Sequence, residues 1–213
     1  MVLKECAVLL ATHNRGKVGE LAALLEDVEV SVIGLPATSP EFEEVGKTFA
    51  ENARGKALFY AARNDFLTLA DDSGLEIDAL DGEPGVRSAR YIDSMLSQDQ
   101  RNLEVLARLE GVPKARRTAR FICHLVLARG SQIVSETRGE CAGVISHTAR
   151  GNNGFGYDPI FLSPVLGQTF AEITSVDKSR RSHRGRALRQ MLGPLCKALE
   201  APADARHAGA HCS

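Results

Sequence analysis

The sequence predicts a mixed α/β fold, with a long sheet, flanking helices and a cleft between two lobes. Two patterns carry that prediction. As far as Ala70, short apolar runs alternate with segments of helical period, as strands joined by helical connections do. From Thr118 the pattern changes to two long strand-like runs meeting at Arg129-Gly130-Ser131, an antiparallel hairpin. No repeat or low-complexity linker divides the 213 residues. Residues 1–200 are therefore expected to form one domain of two lobes, and residues 201–213, which lack periodicity, a disordered tail.

The elements follow in order. Ala7–Ala11 is a short apolar run that reads as a buried strand, and Leu21, Leu24 and Leu25 recur at helical spacing within Val18–Leu25. Val28–Ile33 reads as a second strand, closed by Gly34 and Pro36. Thr48 and Glu51 form a capping-box pattern that opens a helix to about Asn64. Phe66–Ala70 is a third strand, stopped by the polar turn Asp71-Asp72-Ser73-Gly74, after which Leu75–Leu80 resumes as a strand. A loop rich in turn residues runs to Tyr91, and Ser97 caps a helix reaching Leu109. Thr118–Ala128 and Gln132–Cys141 form the hairpin. Beyond the glycine-rich Gly151–Phe161 stretch, Ser182 caps a final helix to about Leu199.

Composition excludes several classes of function. Hydrophobic residues at 44% and charged ones at 25% are ordinary for a soluble globular chain. Lys+Arg 26 against Asp+Glu 27 gives a net charge of −1, so no global field recruits nucleic acid or a membrane surface. Any polyanion site must be local. The cysteines Cys6, Cys123, Cys141, Cys196 and Cys212 are odd in number and widely spaced, which suits neither a disulfide framework nor a zinc site. With no signal peptide and no apolar run long enough to span a bilayer, a cytoplasmic protein is expected.

Four clusters carry candidate chemistry, and each has a plainer alternative. Thr12, Asn14 and Lys17 lie where a strand gives way to a helix, and a helix start favours an anion. The Walker pattern is absent, and Asn14 could simply cap. Glu43 and Glu44 precede a helix start, where acids often serve only the helix dipole. Asp71 and Asp72 end an apolar strand; two adjacent acids repel unless a cation or a raised pKa relieves them, and Mg²⁺ is such a cation. The alternative is a type I turn. Finally, Phe155 and Tyr157 sit among glycines, and Lys178, Ser182, His183 and Arg184 offer donors for a base edge or a phosphate. An aromatic turn and a solvated basic face are the alternatives. A nucleoside triphosphate needs all four clusters together.

The motifs "ATHNRGKVGEL", "EEVGKTFAENARGKA", "LADDSGLEIDALDGEPGVRSARY", "GFGYDPIF" and "KSRRSHRGRAL" occur in the order found in the inosine triphosphate pyrophosphatases. The chain resembles this non-canonical purine NTP pyrophosphatase (HAM1-like) family from about Val2 to Leu199. The resemblance implies an elongated fold with a central nucleotide cleft, a homodimer, and Mg²⁺-dependent hydrolysis of ITP, dITP and XTP to monophosphate and pyrophosphate. It implies that the stretch Thr12, His13, Asn14, Arg15, Gly16 and Lys17 holds the triphosphate. Glu43 or Glu44 would bind metal with Asp72, the implied base, and Ser73 would touch substrate. Phe155 would stack on the purine, Gly156, Tyr157 and Asp158 would line its pocket, and Lys178, Ser182, His183 and Arg184 would read its edge. His13 stands where many relatives carry Gly, and "EEVG" replaces the commoner E-[ET]-T-G. A Maf-like pyrophosphatase for pyrimidine or modified nucleotides and a non-catalytic nucleotide-binding regulator are the competing readings.

Overall fold

The computed structural model describes residues 6–200 apart from Ser94, so the expected tail and Cys212 lie outside the described residues. Seven strands, β1 (Ala7–Leu10), β2 (Ser31–Gly34), β3 (Leu67–Ile77), β4 (Thr118–Arg129), β5 (Gln132–Ile145), β6 (Phe161–Ser163) and β7 (Gln168–Thr169), form one sheet in the order β2-β1-β3-β4-β5-β6-β7. The helices are α1 (Arg15–Leu24), α2 (Phe49–Ala61), α3 (Gln98–Arg108), α4 (Ser175–Arg181) and α5 (His183–Glu200). The expected mixed α/β architecture is what forms.

β1 runs parallel to both β2 and β3, whereas every other pairing is antiparallel. From β1 the chain passes through α1 to β2 on one side, then through α2 to β3 on the other. Such a reversal opens a crevice beyond the carboxyl end of the central strand. β1 pairs with β3 only as far as Leu10 opposite Leu69, and the Ala11 N–H closes the last bond to the Leu69 carbonyl at 2.9 Å. Past that point β4 is the one strand paired with β3 among the described residues, with a single further bridge from Glu76 to Pro84.

This corrects the expected turn at Asp71–Gly74. Those four residues are the middle of an eleven-residue strand, paired in register with Leu125, His124, Cys123 and Ile122 of β4. A run of Asp, Asp, Ser and Gly has turn chemistry, but side chains distant in sequence satisfy the carboxylates and the ladder continues. Leu75–Ile77 belongs to the same strand, not to a separate one. Smaller differences are that α1 begins at Arg15, β2 begins at Ser31, β5 extends to Ile145, and α4 precedes the last helix.

Side chains alternate across β3 and β4, so each face has its own core. Leu67, Leu69, Cys123, Leu125 and Leu127 pack with Leu21 of α1 and Ala187, Leu188 and Met191 of α5. Ala70, Val126 and Ala128 face Ala53, Ala57 and Tyr60 of α2. A third cluster, including Leu75, Ile77, Phe121, Tyr157 and Phe161, fills the far end beside Val105 of α3. The expected caps also form: Thr48 Oγ1 accepts from Glu51 N, Ser97 from Gln100 N, and Ser182 from Gly185 N at 3.1 Å.

Candidate active site

Successive side chains of a strand point to opposite faces, so Asp71 and Asp72 occupy different environments. Asp71 points to the α1/α5 face. It is fully buried, 2.5 Å from Lys17 Nζ, and accepts hydrogen bonds from Arg184 Nε (2.9 Å), Ser73 Oγ (2.8 Å) and Cys123 Sγ (3.1 Å). Burial opposes its charge, but Arg184 and Lys17 outweigh burial and hold the carboxyl well below its ordinary range. Glu20 of α1 bonds both Arg184 and Lys178, and Lys178 also pairs with Asp158. Lys17, Asp71, Arg184, Glu20, Lys178 and Asp158 thus form one buried chain of alternating sign. Its charges balance.

Beside that chain lies a cavity of about 270 Å³, lined by Asn14, Lys17, Ser73, Phe155, Gly156, Tyr157, Asp158, Lys178, His183 and Arg184 among others. Asn14 caps α1 by accepting from Lys17 N, and Thr12 Oγ1 accepts from Asn14 N. The Phe155 ring lies against Gly16, where a Cβ would come within 2.6 Å of it. Lys178 Nζ sits 4.9 Å from the ring centroid. His183 stacks on Phe121 with ring centroids 4.7 Å apart at 13°. Burial, then Arg184, depresses the imidazole well below its ordinary pKa, so the ring is neutral. Its Nδ1 has no hydrogen-bond partner among the described residues. A neutral ring with an unused nitrogen, next to two cations and an aromatic face, suits a flat heterocycle carrying hydrogen-bond acceptors.

Asp72 points to the α2 face and is 4% exposed. Its Oδ1 accepts from Ser73 N, while Oδ2 has no hydrogen-bond partner among the described residues. The Asn52 amide lies beside it, beyond strict hydrogen-bond distance for Nδ2 but close enough to favour the charged carboxylate. Burial and then Glu44 push the Asp72 carboxyl up to about 6, against the pull of Lys17 and Lys56. The acid that disfavours its charge is Glu44, not Asp71; the expected repulsion between the adjacent aspartates is corrected by their opposite faces. Glu44 pairs with Lys56 and Arg90, and Lys56 overcomes the effect of burial to lower its pKa. Glu43, by contrast, is exposed.

The groove beyond β1 therefore gathers Thr12, Asn14, Gly16, Lys17, Glu44, Asp72, Ser73, Phe155, Gly156, Tyr157, Asp158, Lys178, His183 and Arg184. His13 and Arg15 sit exposed at the start of α1, the former edge-on to Tyr60 at 6.5 Å. Ser182 is buried with its hydroxyl committed to capping α5. Sequence reasoning missed Glu20, Asn52, Lys56 and Arg90. Lys56 had a signal, since it shares a helix face with Ala53, Ala57 and Tyr60, where a lysine needs a buried partner. Among the described residues no group of three or more His, Cys, Asp or Glu is placed to hold a metal ion. A hard divalent cation satisfied by one or two carboxylates plus ligand oxygens fits Asp72 and Glu44, and the unpartnered Asp72 Oδ2 is the atom that would meet it.

Comparison with known proteins points the same way. The sequence model of the Ham1 family matches residues 8–193. A dITP/XTP pyrophosphatase of Gloeobacter violaceus is 51% identical over 187 residues, covering 87% of this chain and 92% of the relative. Its counterpart in Exiguobacterium sibiricum is 47% identical over 190 residues, covering 88% and 96%. Among solved structures, a HAM1 protein from Coxiella burnetii superposes with a TM-score of 0.80 at 38% identity, over 92% of this chain and 99% of that one. The Staphylococcus aureus Ham1 protein gives 0.78 at 34% identity, over 90% and 99%.

Proposed function

This chain belongs to the Ham1 family, and on that premise we propose that it hydrolyses the non-canonical purine nucleotides ITP, dITP and XTP to monophosphate and pyrophosphate. The observation that carries the reading is the pairing of two half-finished sites around one crevice: a neutral, unpartnered His183 in a cationic aromatic cavity, and an unpartnered Asp72 beside Glu44. One takes the base and the other attends the phosphates.

Phe155 stacks on the purine, with Lys178 and Arg184 donating to its keto oxygens. An amino group at the 6-position would set a donor against donors. Each such mismatch costs about 1–3 kcal/mol, so two separate ITP from ATP by on the order of a hundredfold or more. Lys17 and the start of α1 hold the triphosphate, and Lys56, beside both Glu44 and Asp72, offsets negative charge on the phosphate side. Asp72 orients the attacking water and takes its proton; its pKa of about 6 in the metal-free protein would fall with the cation bound, leaving the carboxylate ionised at neutral pH. A divalent cation, for which Mg²⁺ is the proposed ion, would be held by Asp72 and Glu44 and would supply charge neutralisation to the pyrophosphate leaving group. Of the two adjacent glutamates, Glu44 is assigned this role because its charge acts on Asp72, whereas Glu43 is exposed.

A homodimer, a two-lobed catalytic domain and a cytoplasmic setting belong to the same reading. The dimer rests on family likeness. The setting is supported by free thiols at Cys6, Cys123, Cys141 and Cys196, and among the described residues no helix is long and apolar enough to cross a membrane. The test is pyrophosphate release from ITP, dITP, XTP, ATP, dTTP and UTP with Mg²⁺. Release from the first three at rates well above the others is expected. Preference for dTTP or UTP would favour the pyrimidine reading, and no release from any would leave a binding protein.

A further inference from the structure

The 3-10 segment Gly85–Arg90, which follows β3, reaches both halves of the site. Its Ser88 hydroxyl accepts from Leu75 N at 2.9 Å and donates to the Gly85 carbonyl at 2.7 Å, fixing the segment over β3. The approach is so close that a Cβ on Gly74 would lie 2.3 Å from that hydroxyl. The Ser88 carbonyl accepts from Tyr157 Oη at 2.9 Å, and Ser88 and Ala89 line the base cavity. Arg90 reaches the other way. Its Nη2 donates to the Glu44 backbone carbonyl at 2.9 Å, and its Nη1 lies 3.5 Å from Glu44 Oε2.

Glu44 needs such support, because residues 35–47 form neither helix nor strand. The stretch is held at Phe42, which packs on Phe59, and at Gly46, whose N–H donates to Asn52 Oδ1 at 2.7 Å. Between those points the Val45 side chain is 76% exposed, and its N–H bonds only within the stretch, to the Glu43 carbonyl at 3.1 Å. Lys56 ties the Glu44 carboxylate to the Asp71 carbonyl of β3 and leaves the Glu44 backbone free; Arg90 grips the Glu44 carboxylate and backbone together.

We propose that Arg90 is a positioning residue for Glu44, holding that carboxylate at the cation position from the wall of the base cavity. The inference rests on the assignment of Glu44 and Asp72 to the divalent cation under the proposed function. A guanidinium presents several donors in a fixed fork, so one side chain serves two acceptors, which a lysine ammonium on its flexible stem does less well. Losing an outer partner of a metal ligand costs about 10–100-fold in metal affinity. The Arg90 side chain is 45% exposed, which sets the expectation at the lower end.

The test is Mn²⁺ binding to the nucleotide-free protein, read by electron paramagnetic resonance, alongside calorimetric binding of IMP in EDTA. Arg90→Ala should weaken Mn²⁺ about tenfold while leaving IMP affinity and the melting temperature unchanged, with Arg90→Lys in between. Mn²⁺ affinity equal to that of the unaltered protein would overturn the inference, as would proportionate loss of Mn²⁺ and IMP, which marks general loosening. Glu44→Gln separates the two layers of argument. If it binds Mn²⁺ as well as the unaltered protein does, the cation assignment itself falls. If it binds poorly while Arg90→Ala binds normally, only the role of Arg90 falls.

Discussion

The two faces of β3 carry adjacent aspartates with opposite fates. On the α1/α5 face Asp71 has two cations and two hydrogen-bond donors around it and keeps its charge. On the α2 face Asp72 is almost as buried, yet one oxygen has no partner and a second acid stands nearby. Burial is the same force in both cases; what differs is that Lys17 and Arg184 pair directly with Asp71, whereas Lys17 and Lys56 act on Asp72 without an ion pair and Glu44 opposes them. A carboxylate fully satisfied by its own protein has nothing left to offer a ligand. One left unsatisfied lowers stability and is available for chemistry.

The largest effect should come from Asp72→Asn. Pyrophosphate release from ITP should fall about 10³-fold if Asp72 is the base; near-normal turnover would remove it from the mechanism. The same variant should be more stable than the unaltered protein at pH 8, by up to ~3 kcal/mol, because the fold no longer holds a buried ionised acid whose pKa is raised from 3.8 to about 6. That advantage should shrink as pH falls through 6 and vanish below about 4, where the carboxyl is protonated in both folded and unfolded chains. Urea denaturation at pH 8 and pH 5 measures it.

Asp71→Asn should move stability the other way. It leaves Lys17 and Arg184 buried without their shared counter-charge, a loss of about 3–5 kcal/mol in the same urea titration. Equal stability changes in the two variants would dissolve the distinction between the faces. Next comes the pH profile. At limiting Mg²⁺, kcat/KM for ITP should decline as pH drops through about 6, and saturating Mg²⁺ should shift the break downward by favouring the charged Asp72. A profile flat to pH 5 at limiting Mg²⁺ would contradict the raised pKa. The smallest effect belongs to Phe155→Ala, where loss of stacking should raise KM about tenfold with less change in kcat. An unchanged KM would argue against the ring as a base platform.

Local chemistry made much of this legible. The caps at Thr48, Ser97 and Ser182 and the hairpin at Arg129-Gly130-Ser131 depend on neighbours a few residues apart, and they form as read, except that Glu51 closes the expected box at Thr48 onto Lys47 N instead of Thr48 N. The residues around the cavity were legible because their motifs recur in order. Asp71–Gly74 was misread because its strand depends on Lys17 and Arg184, which no local rule connects to it. Glu20, Lys56 and Arg90 were missed for a related reason. A charged residue inside a helix or loop looks solvated until the tertiary fold shows what it faces. Adjacent acids read as a pair only while their strand was read as a turn; period-two alternation parts them.

The most direct test of that separation is a titration of the side-chain carboxyls by carbon-13 NMR in metal-free protein, with Asp72→Asn to assign the signal. The account predicts one aspartate titrating near 6 that disappears in the variant, and a second, Asp71, still ionised at pH 4. Two aspartates both titrating in the ordinary carboxylate range would contradict it.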